Sequence, residues 1–107
     1  MKQITATQLD EWLKDPARPA PVLLDVREPS EFQYCAIPGS LPMPMATVPA
    51  RQQELDPDSE IVVICHHGAR SMQVAMFLER QGFGNLINLA GGVAQWAAQV
   101  DPAMPQY

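Results

Sequence analysis

The chain has 107 residues, 47% hydrophobic and 18% charged, which suits one folded domain and excludes wholesale disorder. Seven Lys plus Arg against twelve Asp plus Glu give a net charge of −5, which excludes a general nucleic-acid or anionic-membrane surface, because both need clustered positive charge. No apolar run is long enough to span a membrane, the Met1–Asp10 stretch has no apolar core after its single Lys and does not read as a signal peptide, and two cysteines are too few for a disulfide framework, so a reducing cytoplasm is the expected compartment.

Thr5-Ala6-Thr7-Gln8 fits a capping box, and Leu9, Trp12 and Leu13 follow at helical spacing, so a short amphipathic helix is predicted there. Asp15-Pro16-Ala17-Arg18-Pro19-Ala20-Pro21 ends it as a stiff connector. Val22–Val26 and Ile61–Cys65 are short apolar runs without polar alternation, as expected of central strands buried on both faces of a parallel sheet. Asn85–Leu89 is a weaker third strand candidate. Pro29-Ser30-Glu31-Phe32 opens a short helix with Pro in a permitted first-turn position. Ser71 to Gln81 reads as a well-buried helix stopped by Gly82, and Gly91-Gly92 precedes a last helix with Val93, Trp96 and Ala97. Strand and helix alternate, so the class is α/β with a mainly parallel sheet. The tail, residues 99–107, has no periodic pattern and is expected to fray.

The chemically informative segment is Cys65-His66-His67-Gly68-Ala69-Arg70-Ser71, which joins an apolar strand to a helix. Open α/β sheets form sites beyond the carboxyl ends of their strands. A loop of this kind turns successive backbone N–H groups inward, and they would stabilise a thiolate at Cys65. Gly68 lets the backbone curl closely. Arg70 is expected to close the rim or bind an anionic substrate, and Ser71 to cap the helix. The plainer alternative is that Cys65 is a small hydrophobe ending a strand. The Gly, Arg and Ser at fitting offsets favour a reactive thiolate.

From these residues the chain resembles the rhodanese (thiosulfate sulfurtransferase) family in its small single-domain form, over about residues 3–98. Leu23-Leu24-Asp25-Val26-Arg27, then Glu31-Phe32 with Ile37-Pro38-Gly39-Ser40, then the Cys65 loop, then Gly91-Gly92 with Trp96 match the family's signatures in order. The resemblance implies one domain spanning 1–107 and a rhodanese-like, five-stranded, mainly parallel sheet flanked by helices on both faces. It implies transfer of a sulfane sulfur from a small anion such as thiosulfate, through a Cys65 persulfide, to cyanide or a thiol, including a protein thiol. No metal or organic cofactor is required. The alternative is a non-catalytic or sulfur-relay module on the same fold. A cysteine phosphatase is disfavoured, because the relevant phosphatase loops enclose one residue more, and the cradle here suits a single sulfur.

One departure stands out: the family usually has Gly-His before Ile-Pro-Gly, where this chain has Cys35-Ala36. Cys35 reads as a filler thiol rather than a partner that resolves Cys65 by a disulfide. His66 and His67 are expected to shape the loop entrance and tune Cys65, because three adjacent candidates cannot easily face one zinc ion. Asp25 and Arg27, at the end of a central strand, should lie near the loop and brace it as an ion pair. A monomer is the default expectation.

Overall fold

The computed structural model describes residues 1–107. Its centre is a sheet of five strands: β1 (Lys2–Ile4), β2 (Val22–Asp25), β3 (Leu41–Pro42), β4 (Ile61–Ile64) and β5 (Leu86–Leu89). All pairings are parallel, in the order β1-β5-β4-β2-β3. The helices are α1 (Ala6–Lys14), α2 (Pro29–Tyr34), α3 (Val48–Arg51), α4 (Ala69–Arg80) and α5 (Gly92–Gln99). The expected α/β architecture with a parallel five-stranded sheet is present.

Successive strand residues point to opposite faces. On one face Leu23, Val62, Ile64, Ile87 and Leu89 meet Leu9 and Trp12 of α1 and Val93 and Trp96 of α5. On the other, Leu24, Ile61, Val63 and Leu86 meet Val74, Ala75 and Leu78 of α4, together with Val48. Both faces are covered, which is why these strands read as unbroken apolar runs. Leu24, Val63 and Leu78 have no solvent exposure, and truncating such a leucine to Ala costs about 2–5 kcal/mol. Only one side of α4 is buried, however: Met76, expected inside, is exposed.

The capping box of α1 forms as the sequence predicts, with Gln8 N–H donating to Thr5 Oγ1 at 3.2 Å and Thr5 N–H to Gln8 Oε1 at 2.9 Å. The sheet edges β1 and β3 are not foreseen from sequence. β1 is three residues long, and β3 is two and contains Pro42, which only an edge strand tolerates.

The tail is a second departure. Rather than fraying, residues 101–107 lie against the body. Met104 is buried in the core under α1 and α5, and Tyr107 is hydrogen-bonded to two residues of the site described next.

β4 runs between β2 and β5, so the segments after all three strands emerge together at the carboxyl edge of the sheet. This is where an open parallel sheet places a site.

Candidate active site

Cys65 follows directly on β4 and is 1% exposed. The loop after it curls until the Gly68 N–H donates to Cys65 Sγ at 3.0 Å. That curl needs φ of +105° at Gly68, a conformation other residues rarely adopt, and an added Cβ there would lie 3.3 Å from Gly91 N. Gly91-Gly92 supplies the opposing wall. The first amides of α5 take the loop carbonyls, Val93 N–H donating to Cys65 O at 2.9 Å and Ala94 N–H to His66 O at 3.1 Å. This satisfies donors that a helix start leaves orphaned, and it turns those peptide carbonyls away from the sulfur. A Cβ on Gly92 would fall 2.3 Å from Cys65 O and 2.4 Å from His66 O, so the approach requires glycine.

Ser71 does not cap the helix as expected. Gly68 holds the N-cap position, and α4 begins at Ala69, whose side chain is exposed. Ser71 lies in the first turn, fully buried, with Oγ 3.3 Å from Cys65 Sγ. Its hydroxyl also donates to Asn88 Oδ1 at 2.5 Å, and Asn88 Nδ2 donates to Gly68 O at 3.3 Å. Asn88, 2% exposed in the middle of β5, is a site residue that the sequence reading missed. A buried Asn in an otherwise apolar strand was the available signal.

These donors set the state of the thiol. Burial pushes the Cys65 pKa up, but the Ser71 hydroxyl and the backbone N–H groups of Ser71, Gly68 and His67 together outweigh it, and the pKa falls below its ordinary value. A lowered thiol pKa raises the thiolate fraction, the nucleophilic form.

Arg70 is not a free cation over the loop. Both its terminal nitrogens bind Glu31, at 2.7 and 2.9 Å. The hydrogen bonds from Arg70 outweigh desolvation and, with the Tyr107 hydroxyl, hold the Glu31 carboxyl down at about 2. His66 and His67 stack on each other with centroids 4.0 Å apart, and His66 stacks on Tyr107, also at 4.0 Å. Burial, reinforced by His67, pushes the His66 pKa down, which keeps its imidazole neutral near pH 7.

Asp25 and Arg27 form a buried ion pair, Nη2 to Oδ2 at 2.7 Å with both side chains at 0% exposure. Arg27 also donates to the Cys35 carbonyl at 2.7 Å, and so fixes the turn where the family histidine is replaced by Ala36. It reaches the loop indirectly, through Tyr107, to whose hydroxyl it donates at 2.8 Å and whose ring stacks on His66, and through Glu31, whose carbonyl it meets at 3.3 Å and whose carboxylate holds Arg70. This geometry is that of a brace. Cys35 and Cys65 pack in separate core clusters, and both thiols are free.

The fold and loop agree with what comparison with known proteins finds: the model of the rhodanese-like domain matches residues 5–99. This chain belongs to the rhodanese-like family. A sulfurtransferase of Allochromatium vinosum is 41% identical over 71% of this chain and 71% of its own. A thiosulfate sulfurtransferase of Pseudoalteromonas translucida is 34% identical over 72% of this chain and 73% of its own. Among solved structures, a rhodanese-related protein of Thermoplasma volcanium superposes with a TM-score of 0.83 at 32% identity, covering 94% of each chain. The rhodanese-like chain also matches a rhodanese-like/PpiC domain-containing chloroplastic protein of Arabidopsis thaliana at 35% identity, but spans only 38% of that longer relative. No helix is long and apolar enough to cross a membrane.

Proposed function

We propose that the 107 residues act as one sulfurtransferase unit that carries sulfane sulfur on Cys65. The Cys65 thiolate attacks the outer sulfur of a donor such as thiosulfate. The donor's S–S bond breaks, sulfite leaves with the electron pair, and a persulfide remains on Cys65. A thiol or cyanide then attacks the terminal sulfur, and Cys65 leaves as the thiolate again. Neither step needs a metal, an organic cofactor or an external oxidant. The observation that carries this reading is the sulfur's set of donors, the Gly68 N–H at 3.0 Å and the Ser71 hydroxyl at 3.3 Å. The Gly68 N–H is fixed before reaction, and a preorganised dipole of this kind stabilises negative charge without reorganising, while the Ser71 hydroxyl turns from Asn88 to the sulfur as the thiolate forms. In this reading His66, His67, Gly68, Ala69, Arg70 and Ser71 form the binding loop, and Asp25 and Arg27 support it. Two free cysteines are in keeping with a reducing compartment.

One observation favours a second reading, that of a sulfur relay fed by another persulfide. Arg70 is committed to Glu31 in a bidentate pair, which leaves less unpaired positive charge to attract a small dianion. Both readings pass through a Cys65 persulfide, and one experiment tests them. Intact mass is measured after incubation with thiosulfate or with glutathione persulfide. A gain of one sulfur atom with thiosulfate, absent in Cys65→Ser, supports the thiosulfate route. A gain only with the persulfide supports the relay. No gain with either refutes sulfur transfer.

A further inference from the structure

Tyr107 stands outside the chemistry above, yet it joins three residues of the site, His66, Arg27 and Glu31. Its ring lies flat on His66, with a 13° interplanar angle and 4.0 Å between centroids. Its hydroxyl accepts from Arg27 Nη1 at 2.8 Å and donates to Glu31 Oε2 at 2.7 Å. Glu31 in turn holds Arg70. Tyr107 therefore touches the second residue of the Cys65 loop directly and the sixth through Glu31, and it spans the loop from one side to the other. Cys65, at the head of that loop, is 1% exposed.

The attachment is built to be reversible. The outer side of Tyr107 remains in water, at 45% exposure. Its contacts include one stack, one edge-on contact with Tyr34, the Arg27 guanidinium 5.9 Å over its ring and two hydrogen bonds, and none of these is a core contact. The segment is anchored separately, by Met104 in the apolar core. Tyr107 can thus swing away while Met104 stays seated. Between the loop, α5 and the tail lies a cavity of about 140 Å³, lined by His66, His67, Val93, Ala97, Pro105 and Tyr107.

We propose that Tyr107 is a specificity-determining gate for Cys65: small reactants reach the sulfur past the closed ring, whereas bulky thiol acceptors must displace it from His66, Arg27 and Glu31. The proposal deepens the sulfurtransferase reading and rests on it for the identity of the acceptor. The gate itself is a property of access and can be read without any sulfur transfer.

The test is alkylation of Cys65 by two probes with the same reactive group, N-ethylmaleimide and a fluorescein maleimide, with the site of labelling read by peptide mapping and the fold checked by thermal melting. In wild type the bulky probe lags the small one. Tyr107→Ala, which loses the stack and both hydrogen bonds, is expected to raise the ratio of bulky to small rates by at least about tenfold, the loss of one hydrogen bond to a charged group being the lower bound. Tyr107→Phe keeps the stack, loses both hydrogen bonds and should fall between. A ratio that stays at the wild-type value in both variants overturns the gate. So does a uniform rise for both probes, which would mean general loosening of the loop. If the ratio rises but Cys65 takes no sulfur from thiosulfate or glutathione persulfide, the gate stands and the sulfurtransferase reading fails.

Discussion

Replacing Ser71 by Ala isolates the side-chain share of the thiolate's stabilisation. The hydroxyl has one proton and two takers, Cys65 Sγ at 3.3 Å and Asn88 Oδ1 at 2.5 Å. While Cys65 is a thiol, its S–H can donate to Ser71 Oγ and the hydroxyl can serve Asn88. When Cys65 is a thiolate, the hydroxyl must turn to the sulfur, and Asn88 Oδ1 loses its donor. The net gain is a hydrogen bond to a charged acceptor, about 1.5–3 kcal/mol, less a neutral one of about 0.5–1.5 kcal/mol. The difference of the midpoints, about 1.25 kcal/mol, corresponds to roughly one pKa unit. Ser71→Ala should therefore raise the Cys65 pKa by about one unit. It should leave the backbone N–H donors of Gly68, His67 and Ser71 in place. The assay is the pH dependence of Cys65 alkylation by iodoacetamide, followed by intact mass. Below both pKa values the variant should react about tenfold more slowly, because its thiolate fraction is smaller by that factor. An inflection that does not move, or moves down, refutes the assignment of Ser71 as a thiolate donor.

Two further outcomes follow from the charges around the loop. Asp25→Asn leaves the fully buried Arg27 guanidinium without its counter-charge, which should cost about 3–5 kcal/mol and lower the urea midpoint accordingly. An unchanged midpoint would mean the pair is no brace. Glu31 has a folded-state pKa near 2, against 4.5 for the free group. A carboxylate with a depressed pKa contributes stability that is complete above its unfolded value and is lost as the pH falls through the folded one. The Glu31–Arg70 pair should thus hold fully above about pH 4.5 and weaken from there towards pH 2. Its partial exposure limits the effect to about 1 kcal/mol. Melting temperature measured across that window should fall less steeply in Glu31→Gln than in wild type, and equal slopes would remove the pair from the account.

What the sequence makes legible here is what local backbone geometry demands. The capping box at Thr5, the unalternated strands β2 and β4, the helix stop at Gly82 and the loop glycine Gly68 each sit at a fixed offset from their neighbours, so pattern alone finds them. The edge strands β1 and β3 are too short to carry a period, and they pair only because β5 and β2 offer an open edge. The polar network around the sulfur is hidden for a related reason. Ser71 meets Asn88 across 17 positions, Arg70 meets Glu31 across 39, and Tyr107 meets Arg27 across 80, and no spacing rule links such pairs. Reading Ser71 as an N-cap chose the local partner where the distant one wins, because burial leaves its hydroxyl beside Sγ and Asn88.

The same network resolves the apparent conflict between an acidic chain and a site whose donors lower the pKa of a thiol. The net charge is −5, and the one cation of the loop, Arg70, is neutralised by Glu31. Side-chain charge therefore does little for the sulfur. What remains is dipolar: the N–H of Gly68 at 3.0 Å, those of His67 and Ser71, and one hydroxyl. The direction of the loop N–H groups is held because α5 takes the opposing carbonyls of Cys65 and His66, an approach that only glycine at position 92 permits. Stabilisation of this kind acts at short range in a buried place, where salt screens poorly and neither net charge nor isoelectric point reports it. The lowered pKa of Cys65 thus belongs to the strand–loop–helix geometry, and the surface charge is free to be acidic.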